Sequence, residues 1–157
     1  MHPVMKKTFL ILHDIRSSEN VGSIFRTADA AGVSKIYLTG YTPAPLDRFG
    51  RKNARLAKAA LGAEGFVSWE ARKDIFALLD ELKGKGAVIA GVEQSPRSIS
   101  YTDFVSEKPS ALIFGNEVGG IPEGVLSEAD AILEIPMRGK KESLNVSVAA
   151  GIVLFSL

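Results

Sequence analysis

Short apolar runs alternate with helical patterns along the chain. Six runs rich in β-branched residues predict strands at Phe9–Leu12, Lys35–Leu38, Phe66–Trp69, Ala87–Val92, Ala111–Phe114 and Ala131–Ile135. Apolar residues at helical spacing predict helices at Val21–Ala31, Asn53–Leu61 and Asp74–Lys83, while Pro122 and Asn145 are suited to begin two more. The alternation predicts an α/β fold with a mainly parallel sheet and helices on both faces.

Length and composition fit one compact domain. The chain has 157 residues, 46% hydrophobic and 24% charged, with no repeat or linker. We therefore expect a single domain over residues 1–157. Cysteine is absent and histidine occurs twice, so disulfides are excluded and we expect no metal to be required.

The most apolar stretch is C-terminal, at Val146–Leu157. It is too short to span a bilayer, so we expect a cytoplasmic protein without membrane contact. The helix predicted there has almost no polar face, and such a helix must be buried on all sides. Burial can come from the core or from a partner subunit, so a homodimer interface is a reasonable hypothesis.

Basic residues are concentrated in one segment although the net charge is only +1. No acid interrupts the run formed by Arg48, Arg51, Lys52, Arg55 and Lys58. Taken alone, the run is better explained as a solvated helix face than as a phosphate-contacting patch. The second interpretation gains weight only if other residues indicate nucleic acid.

Open α/β sheets bind ligands beyond the carboxyl ends of their strands. Three loops with that position carry polar residues and glycines, at His13–Gly22, Phe114–Pro122 and Ile135–Ser147. Their glycines permit tight turns and close approach of a ligand to the backbone. Helix capping explains Asn20, Ser143 or Asn145 individually. Neither G-x-G-x-x-G nor G-x-x-x-x-G-K-[ST] occurs in these loops, which counts against nicotinamide and nucleoside-triphosphate enzymes.

Together, the three loops resemble the motifs of the SpoU/TrmH-type RNA 2′-O-ribose methyltransferases of the SPOUT superfamily. The first resembles N-x-G-x-x-x-R through Asn20, Gly22 and Arg26. The other two are similar to the family's second and third motifs through Gly115-Asn116-Glu117 with Gly120-Ile121-Pro122, and Ile135-Pro136-Met137 with Ser143-Leu144-Asn145-Val146-Ser147. The motifs follow the family's order from near the start of the chain to its end.

The resemblance implies a C-terminal trefoil knot that holds S-adenosylmethionine, and a homodimer whose active sites draw on both subunits. By position, the implied cofactor-binding residues are Val92, Gly115, Asn116, Ile135, Met137, Ser143 and Leu144. It also implies an RNA partner, for which the candidate contacts are Arg16, Arg48, Arg51, Lys52 and Arg55. We expect no appended RNA-binding domain.

The implied reaction is in-line methyl transfer to a ribose 2′-oxygen. The resemblance assigns activation of the hydroxyl to Arg26, but a general-base role is awkward because arginine stays protonated. We interpret Arg26 as a cation that clamps a phosphate and stabilises the developing alkoxide. Asn20 and Asn145 would then position ribose or phosphate. Glu117 would orient Arg26 or Asn20, and Ser143 would touch cofactor or substrate.

Several alternatives remain open. The stretch Gly91–Ser95 resembles tRNA guanosine-18 members, and a minimal catalytic domain favours tRNA. Ribosomal RNA stays an alternative because Ser143–Ala150 also resembles enzymes of large-subunit RNA. A non-catalytic RNA- or cofactor-binding module is a second class, although the retained Arg26 and Asn145 argue against it. Methylation of a base is disfavoured by the first motif.

Overall fold

The computed structural model describes residues 6–157. The strands are β1 Thr8–His13, β2 Lys35–Thr39, β3 Trp69–Arg72, β4 Val88–Val92, β5 Ile99–Ser100, β6 Ser110–Phe114 and β7 Ala131–Glu134. The α-helices are α1 Ser18–Ala31, α2 Ala54–Ala60, α3 Ile75–Gly84, α4 Glu123–Leu126 and α5 Val146–Leu154. Within residues 6–157, no helix has the length and apolar character needed to cross a membrane.

The strands form one sheet in the order β3-β2-β1-β6-β4-β7-β5, and each neighbouring pair is parallel. In its centre, Leu10 of β1 pairs with Ile36 of β2 and with Leu112 of β6. Four adjacent strands, β1, β6, β4 and β7, end at the same edge. The predicted parallel sheet is confirmed, and the loops that carry the three motifs follow β1, β6 and β7 at this edge.

Helices cover both faces of the sheet, as predicted. Because side chains alternate along a strand, Leu10 and Leu12 face one layer while Ile11 faces the other. The first layer contains α1, α2 and α5, and the second contains α3 and α4. The central strands are therefore buried on both faces, which explains their continuous apolar runs.

The glycine of the first motif allows two helices to approach closely. A Cβ at Gly22 of α1 would collide with the backbone oxygen of Leu56 in α2 and lie 2.9 Å from the Ala59 Cβ. The N-cap of α2, Asn53, also donates from its side-chain amide to the Ser18 hydroxyl at 3.0 Å. These contacts fix the basic residues of α2 relative to the start of α1.

The prediction of a strand at Phe66–Trp69 was wrong. The strand begins at Trp69, and Phe66 follows a 3-10 turn and is 77% exposed. Val67 fills the core from the turn itself, so its hydrophobicity does not mark a strand. The actual edge strand has the sequence Trp-Glu-Ala-Arg, which lacks a clear apolar alternation. The two-residue β5 was also missed, because it is too short to leave a pattern.

The last helix is buried on one side only. Asn145 caps it, as predicted, by accepting the Ser147 N–H at 2.9 Å. Ala150, Val153 and Leu154 enter the core, but Val148 is 49% exposed. Burial within the chain therefore leaves the face of the helix around Val148 open to solvent. The trefoil knot remains a prediction of the family resemblance.

Candidate functional site

A pocket of about 500 Å³ lies beyond the carboxyl ends of β4, β6 and β7, against the start of α5. Its position agrees with the rule for open parallel sheets. All of the predicted cofactor-binding residues line it: Val92, Gly115, Asn116, Ile135, Met137, Ser143 and Leu144. Glu117 and Asn145, predicted as catalytic residues, line it as well.

The second motif forms a closed turn that shapes one side of the pocket. The backbones of Asn116 and Gly120 exchange hydrogen bonds at 3.2 and 2.9 Å. A Cβ at Gly115 would lie 2.6 Å from the carbonyl of Gly120, so glycine is required by this close approach. The Asn116 side chain accepts the N–H groups of Val118 and Gly119 within the turn.

The Asn116 amide nitrogen is also engaged outside the turn. It donates to the Asp14 carbonyl and to the Tyr41 hydroxyl, each at 2.9 Å. The Asn116 side chain therefore links the loops that follow β1, β2 and β6. Because its side-chain atoms are engaged in this way, Asn116 contributes its backbone to the pocket. Tyr41 is a contact that sequence reasoning missed, because it follows β2 and belongs to none of the motifs.

The pocket combines apolar walls with acidic side chains. Leu133, Ile135, Met137, Leu144 and Val146 supply apolar surface from β7, its loop and α5. Three acids also line the pocket, Glu93, Glu117 and Glu134, whereas its lining includes no lysine or arginine. This balance suits a ligand with a large apolar or aromatic part and a positive charge. A pocket for a polyphosphate would need the opposite charge.

Glu93 is a further residue that sequence reasoning missed. Its carboxylate accepts the Ile121 N–H at 2.9 Å and so links the end of β4 to the second motif. The neighbouring Gln94 donates to the Glu142 carbonyl at 2.6 Å and holds the third loop over the pocket. Both residues follow a strand end, so the rule that selected the other loops could have selected this one.

The three motifs meet in one hydrogen-bond chain. The Asn145 amide donates to the Asn20 side-chain oxygen at 3.1 Å, and the Asn20 amide donates to Glu117 Oε1 at 3.4 Å. Asn20 does not cap α1, because Ser17 does so by accepting the Asn20 N–H. Helix capping therefore does not explain the presence of asparagine at position 20. The Asn20 side chain lies between residues of the other two motifs, which supports a role in the site.

Glu117 anchors this chain as an ionised carboxylate. It accepts the backbone N–H groups of Arg16 and Ser17, each at 3.1 Å. Partial burial raises the pKa of Glu117, but these N–H groups and the Asn20 amide lower it more, so its pKa lies below the ordinary 4.5. A carboxylate with a lowered pKa is a weak base and a firm hydrogen-bond acceptor.

Arg26 lies apart from the network within this chain. It is exposed on α1, and its side chain has no hydrogen bond or ion pair with residues 6–157. Along the helix it is about 9 Å beyond Asn20 and about 120° around the axis. Of the two orienting roles predicted for Glu117, the structure shows contact with Asn20 and none with Arg26. The neighbouring Thr27 packs near Gly151 of α5.

His13 is the last residue of β1 and is buried. Its Nδ1 lies 2.8 Å from the Thr39 hydroxyl, and its Nε2 lies 3.4 Å from Asp14 Oδ2. Burial lowers the pKa of His13 more than the Asp14 carboxylate raises it. The side chain lines a shallow second cavity rather than the pocket of the motifs. No group of three or more metal-ligating side chains occurs in the described part of the chain.

The predicted RNA contacts lie on the surface beside the first motif. Arg16, Arg48, Arg51, Lys52 and Arg55 are all exposed. Arg51 pairs with Asp47 at 2.7 Å, and Arg55 approaches Glu19 at 4.0 Å. The basic residues from Arg48 to Lys58 extend from the loop after β2 onto α2. Helix α2 packs closely against α1 at Gly22.

The chain is an open α/β protein with a parallel sheet. Its candidate ligand site lies at the carboxyl ends of the strands, where the motif loops begin. The model of the SpoU rRNA Methylase family matches residues 7–155. The chain belongs to this family. The second and third motifs, distant in sequence, line one pocket, and Asn20 of the first motif is hydrogen-bonded to both of them.

Curated relatives include enzymes of two kinds of RNA. The chain is 30% identical over 144 residues to tRNA (guanosine(18)-2'-O)-methyltransferase of Escherichia coli K12, covering 92% of this chain and 59% of the relative. It is 37% identical over 145 residues to 23S rRNA (guanosine-2'-O-)-methyltransferase RlmB of Neisseria meningitidis, covering 92% and 55%. The chain thus spans little more than half the length of these relatives.

Solved structures match over almost the whole chain. The AdoMet-bound rRNA methyltransferase from Sinorhizobium meliloti is 30% identical, with a TM-score of 0.85, and the match covers 99% of this chain and 57% of that one. A protein solved in connection with 2-OH methylation of C/U34 on tRNA is 28% identical, with a TM-score of 0.81. That match covers 96% of this chain and 93% of the other.

Proposed function

We propose that the chain methylates a ribose 2′-hydroxyl of RNA with S-adenosylmethionine as methyl donor. The observation that carries the proposal is the hydrogen-bond chain from Glu117 through Asn20 to Asn145 at the edge of the pocket. This hydrogen-bond chain joins residues of all three motifs. The family model matches the chain, and the chain's curated relatives include enzymes named as 2′-O-methyltransferases. A cytoplasmic location is part of the proposal, since the similar RNA-modifying enzymes are bacterial.

The lining of the pocket fits the proposed cofactor. S-adenosylmethionine supplies, when bound, a methyl group on a positively charged sulfur. Glu93, Glu117 and Glu134 give the pocket a negative potential that favours this charge. Apolar side chains such as Leu144 and Ile135 suit an adenine ring, and the Gly115 turn brings backbone groups to the pocket surface.

The chain's own residues are suited to positioning more than to proton abstraction. Glu117 is ionised and already accepts three N–H groups, so we assign it the anchoring of Asn20. Asn20 and Asn145 then hold the ribose or its phosphate, and Ser143 contacts the cofactor or substrate from the pocket lining. Alignment of two reactants can contribute several kcal/mol, about 7–11 in well-oriented systems.

Arg26 would complete the site in a homodimer. It is a free cation on α1, next to the surface where Thr27 packs near α5. The exposed side of α5 and the following residues present Val148, Phe155 and Leu157 at 49%, 64% and 50% exposure. A second copy covering this surface would bury apolar area and bring Arg26 into a shared site.

We propose tRNA, with guanosine as the target nucleoside, as the substrate. The structure solved in connection with 2-OH methylation of C/U34 on tRNA matches this chain over 93% of its own length, so a protein linked to tRNA methylation has about the size of this chain. Both curated relatives named above act on guanosine. Ribosomal RNA is the second candidate because of the similarity to the Neisseria enzyme.

The test is methyl transfer from labelled S-adenosylmethionine to unmodified tRNA and, separately, to unmodified 23S rRNA, followed by nucleoside analysis. Label in 2′-O-methylguanosine from tRNA is expected. Label in rRNA alone, or in another nucleoside, would contradict the corresponding part of the proposal. Leu144→Asp should abolish cofactor binding in calorimetry, whereas Leu61→Asp, on an exposed residue after α2, should leave it unchanged.

A further inference from the structure

The loop between β2 and α2 presents an exposed aromatic ring beside two cations. Phe49 is 67% exposed. The guanidinium carbon of Arg48 lies 4.7 Å from the ring centroid, and that of Arg51 lies 5.1 Å from it. Both distances fall within the range of cation–π attraction, which holds the three side chains in one group.

The ring is carried on a well-defined turn. Asp47 Oδ1 accepts the N–H groups of Phe49 and Arg51 at 2.8 and 2.9 Å, and Asp47 Oδ2 pairs with the Arg51 side chain at 2.7 Å. Gly50 has a φ of 77°, which suits a tight turn, and Leu46 and Lys52 form an antiparallel bridge below it. The chain's own hydrogen bonds therefore fix the backbone of the turn that carries the exposed Phe49 ring.

The loop that carries this turn, from β2 to α2, is linked to the motif loops at both ends. At its start, the Tyr41 hydroxyl accepts a hydrogen bond from the Asn116 side-chain amide. The Tyr41 backbone N–H donates to the Asp14 carboxylate at 3.0 Å. Asn53, at its end, donates to Ser18 at the start of α1. A ligand held at the turn is consequently held relative to the second motif and to the helix that carries Asn20.

We infer that Phe49 is a stacking platform for an unpaired base of the RNA substrate, with Arg48, Arg51 and Lys52 contacting the flanking phosphates. The inference rests on the proposed function and extends it to substrate recognition. Exposed aromatic rings flanked by cations bind splayed nucleotides, because a base stacks on the ring and the cations neutralise the backbone. A base within an A-form helix is not available for such stacking, so the partner is a loop or bulge.

The first test measures binding of an unmodified tRNA transcript to the full chain by fluorescence anisotropy. Phe49→Ala should raise the dissociation constant about 5- to 150-fold, and Phe49→Tyr should restore it. Phe66→Ala is the matched control, since Phe66 is 77% exposed and should not change binding. Equal affinities for wild type, Phe49→Ala and Phe49→Leu would overturn the inference.

A second measurement detects the stacking itself. In a Trp69→Phe background, Phe49→Trp places the single tryptophan on the turn. A tRNA with an unpaired loop should quench its fluorescence, whereas a fully paired RNA duplex of equal length should leave it largely unchanged. Equal quenching by the duplex would contradict recognition of an unpaired base.

Failure of this inference is distinguishable from failure of the proposed function. If Phe49→Ala weakens tRNA binding while no methyl is transferred, the platform stands and the enzymatic proposal fails. If Phe49→Ala binds tRNA normally and methylates it with unchanged KM, the enzymatic proposal stands and the platform fails.

Discussion

The side-chain amide of Asn145 donates a hydrogen bond to the side-chain oxygen of Asn20 across 3.1 Å, although 125 positions separate the two residues. Asn145 begins the last helix, and Asn20 lies in the first turn of α1. Their contact exists only because β1 and β7 end at the same edge of the sheet. It gives the separate motifs a common geometry that mutation can disturb.

Asn145 has two functions that substitution should separate. Its side-chain oxygen caps α5, and its amide holds Asn20. Asn145→Ser keeps a capping oxygen, so we expect the free energy of unfolding to change by less than about 0.5 kcal/mol while methyl transfer falls strongly. Asn145→Ala should lose activity and also about 1 kcal/mol of stability. Urea unfolding and single-turnover transfer measure the two effects; full activity in Asn145→Ser would refute the positioning role.

The depressed pKa of Glu117 predicts a pH-dependent contribution to stability. An acid with a lowered folded pKa stabilises the fold above its unfolded pKa, and the contribution disappears as pH falls through the folded value. Glu117→Gln should therefore cost about 1 kcal/mol above pH 4.5, a small value because the side chain is exposed to solvent. The difference from wild type should close as the pH is lowered below 4.5.

Urea unfolding at a series of pH values measures the difference. Glu142→Gln is the matched control, because Glu142 is exposed and its hydrogen bond from Gln94 goes to its backbone oxygen. If the difference in free energy of unfolding between wild type and Glu117→Gln stayed constant down to low pH, hydrogen bonding to the ionised carboxylate would not be the cause of that difference.

The close approach at Gly22 predicts a purely steric defect. Gly22→Ala places a Cβ against the Leu56 backbone oxygen, and backbone cannot move aside cheaply. We expect a loss of about 1–3 kcal/mol, seen as a lower melting temperature. Gly84→Ala in α3 is the control, since nothing lies within 4 Å of its added Cβ. Equal melting temperatures for the two variants would mean that α1 and α2 pack less tightly in solution.

The exposed apolar residues on and after the last helix, Val148, Phe155 and Leu157, predict self-association. Val148→Asp puts a charge on the apolar side of α5, so a homodimer formed there should dissociate. Val105→Asp changes an 80% exposed valine in a loop and should leave the mass unchanged. Light scattering after size-exclusion chromatography gives the masses. A wild-type monomer at micromolar concentration would rule out the homodimer.

Arg26 is predicted to act without supporting the fold. Because it is exposed and unpaired within residues 6–157, Arg26→Ala should leave the melting temperature unchanged. Methyl transfer should fall about 10²–10³-fold, the loss typical of a removed electrostatic stabiliser. Arg26→Lys should recover little, because lysine lacks the bidentate fork. Retention of most activity by Arg26→Lys would contradict the phosphate clamp.

The sequence was most informative where the pattern was regular. The apolar strands of the centre, the helix face of α1 and the loops after strand ends follow from periodicity and from the geometry of parallel sheets. The edge strand at Trp69 escaped this reasoning because an edge needs no apolar alternation.

The details of the site depended on tertiary contacts. The sequence around Tyr41 and Glu93 does not indicate their partners. The Tyr41 hydroxyl accepts a hydrogen bond from the Asn116 amide, 75 positions away, and Glu93 accepts the Ile121 N–H, 28 positions away. Arg26 illustrates the opposite case. Its motif groups it with Asn20, but six residues along a helix place the two side chains on different faces.

The most direct test of the account is the position of the transferred methyl group. Unmodified tRNA methylated by the wild-type chain with labelled S-adenosylmethionine is hydrolysed with alkali, which needs a free ribose 2′-hydroxyl to cleave the backbone. We expect label in alkali-resistant dinucleotides, and loss of that label with Arg26→Ala. Label released in ordinary mononucleotides would place the methyl on a base and contradict ribose methylation.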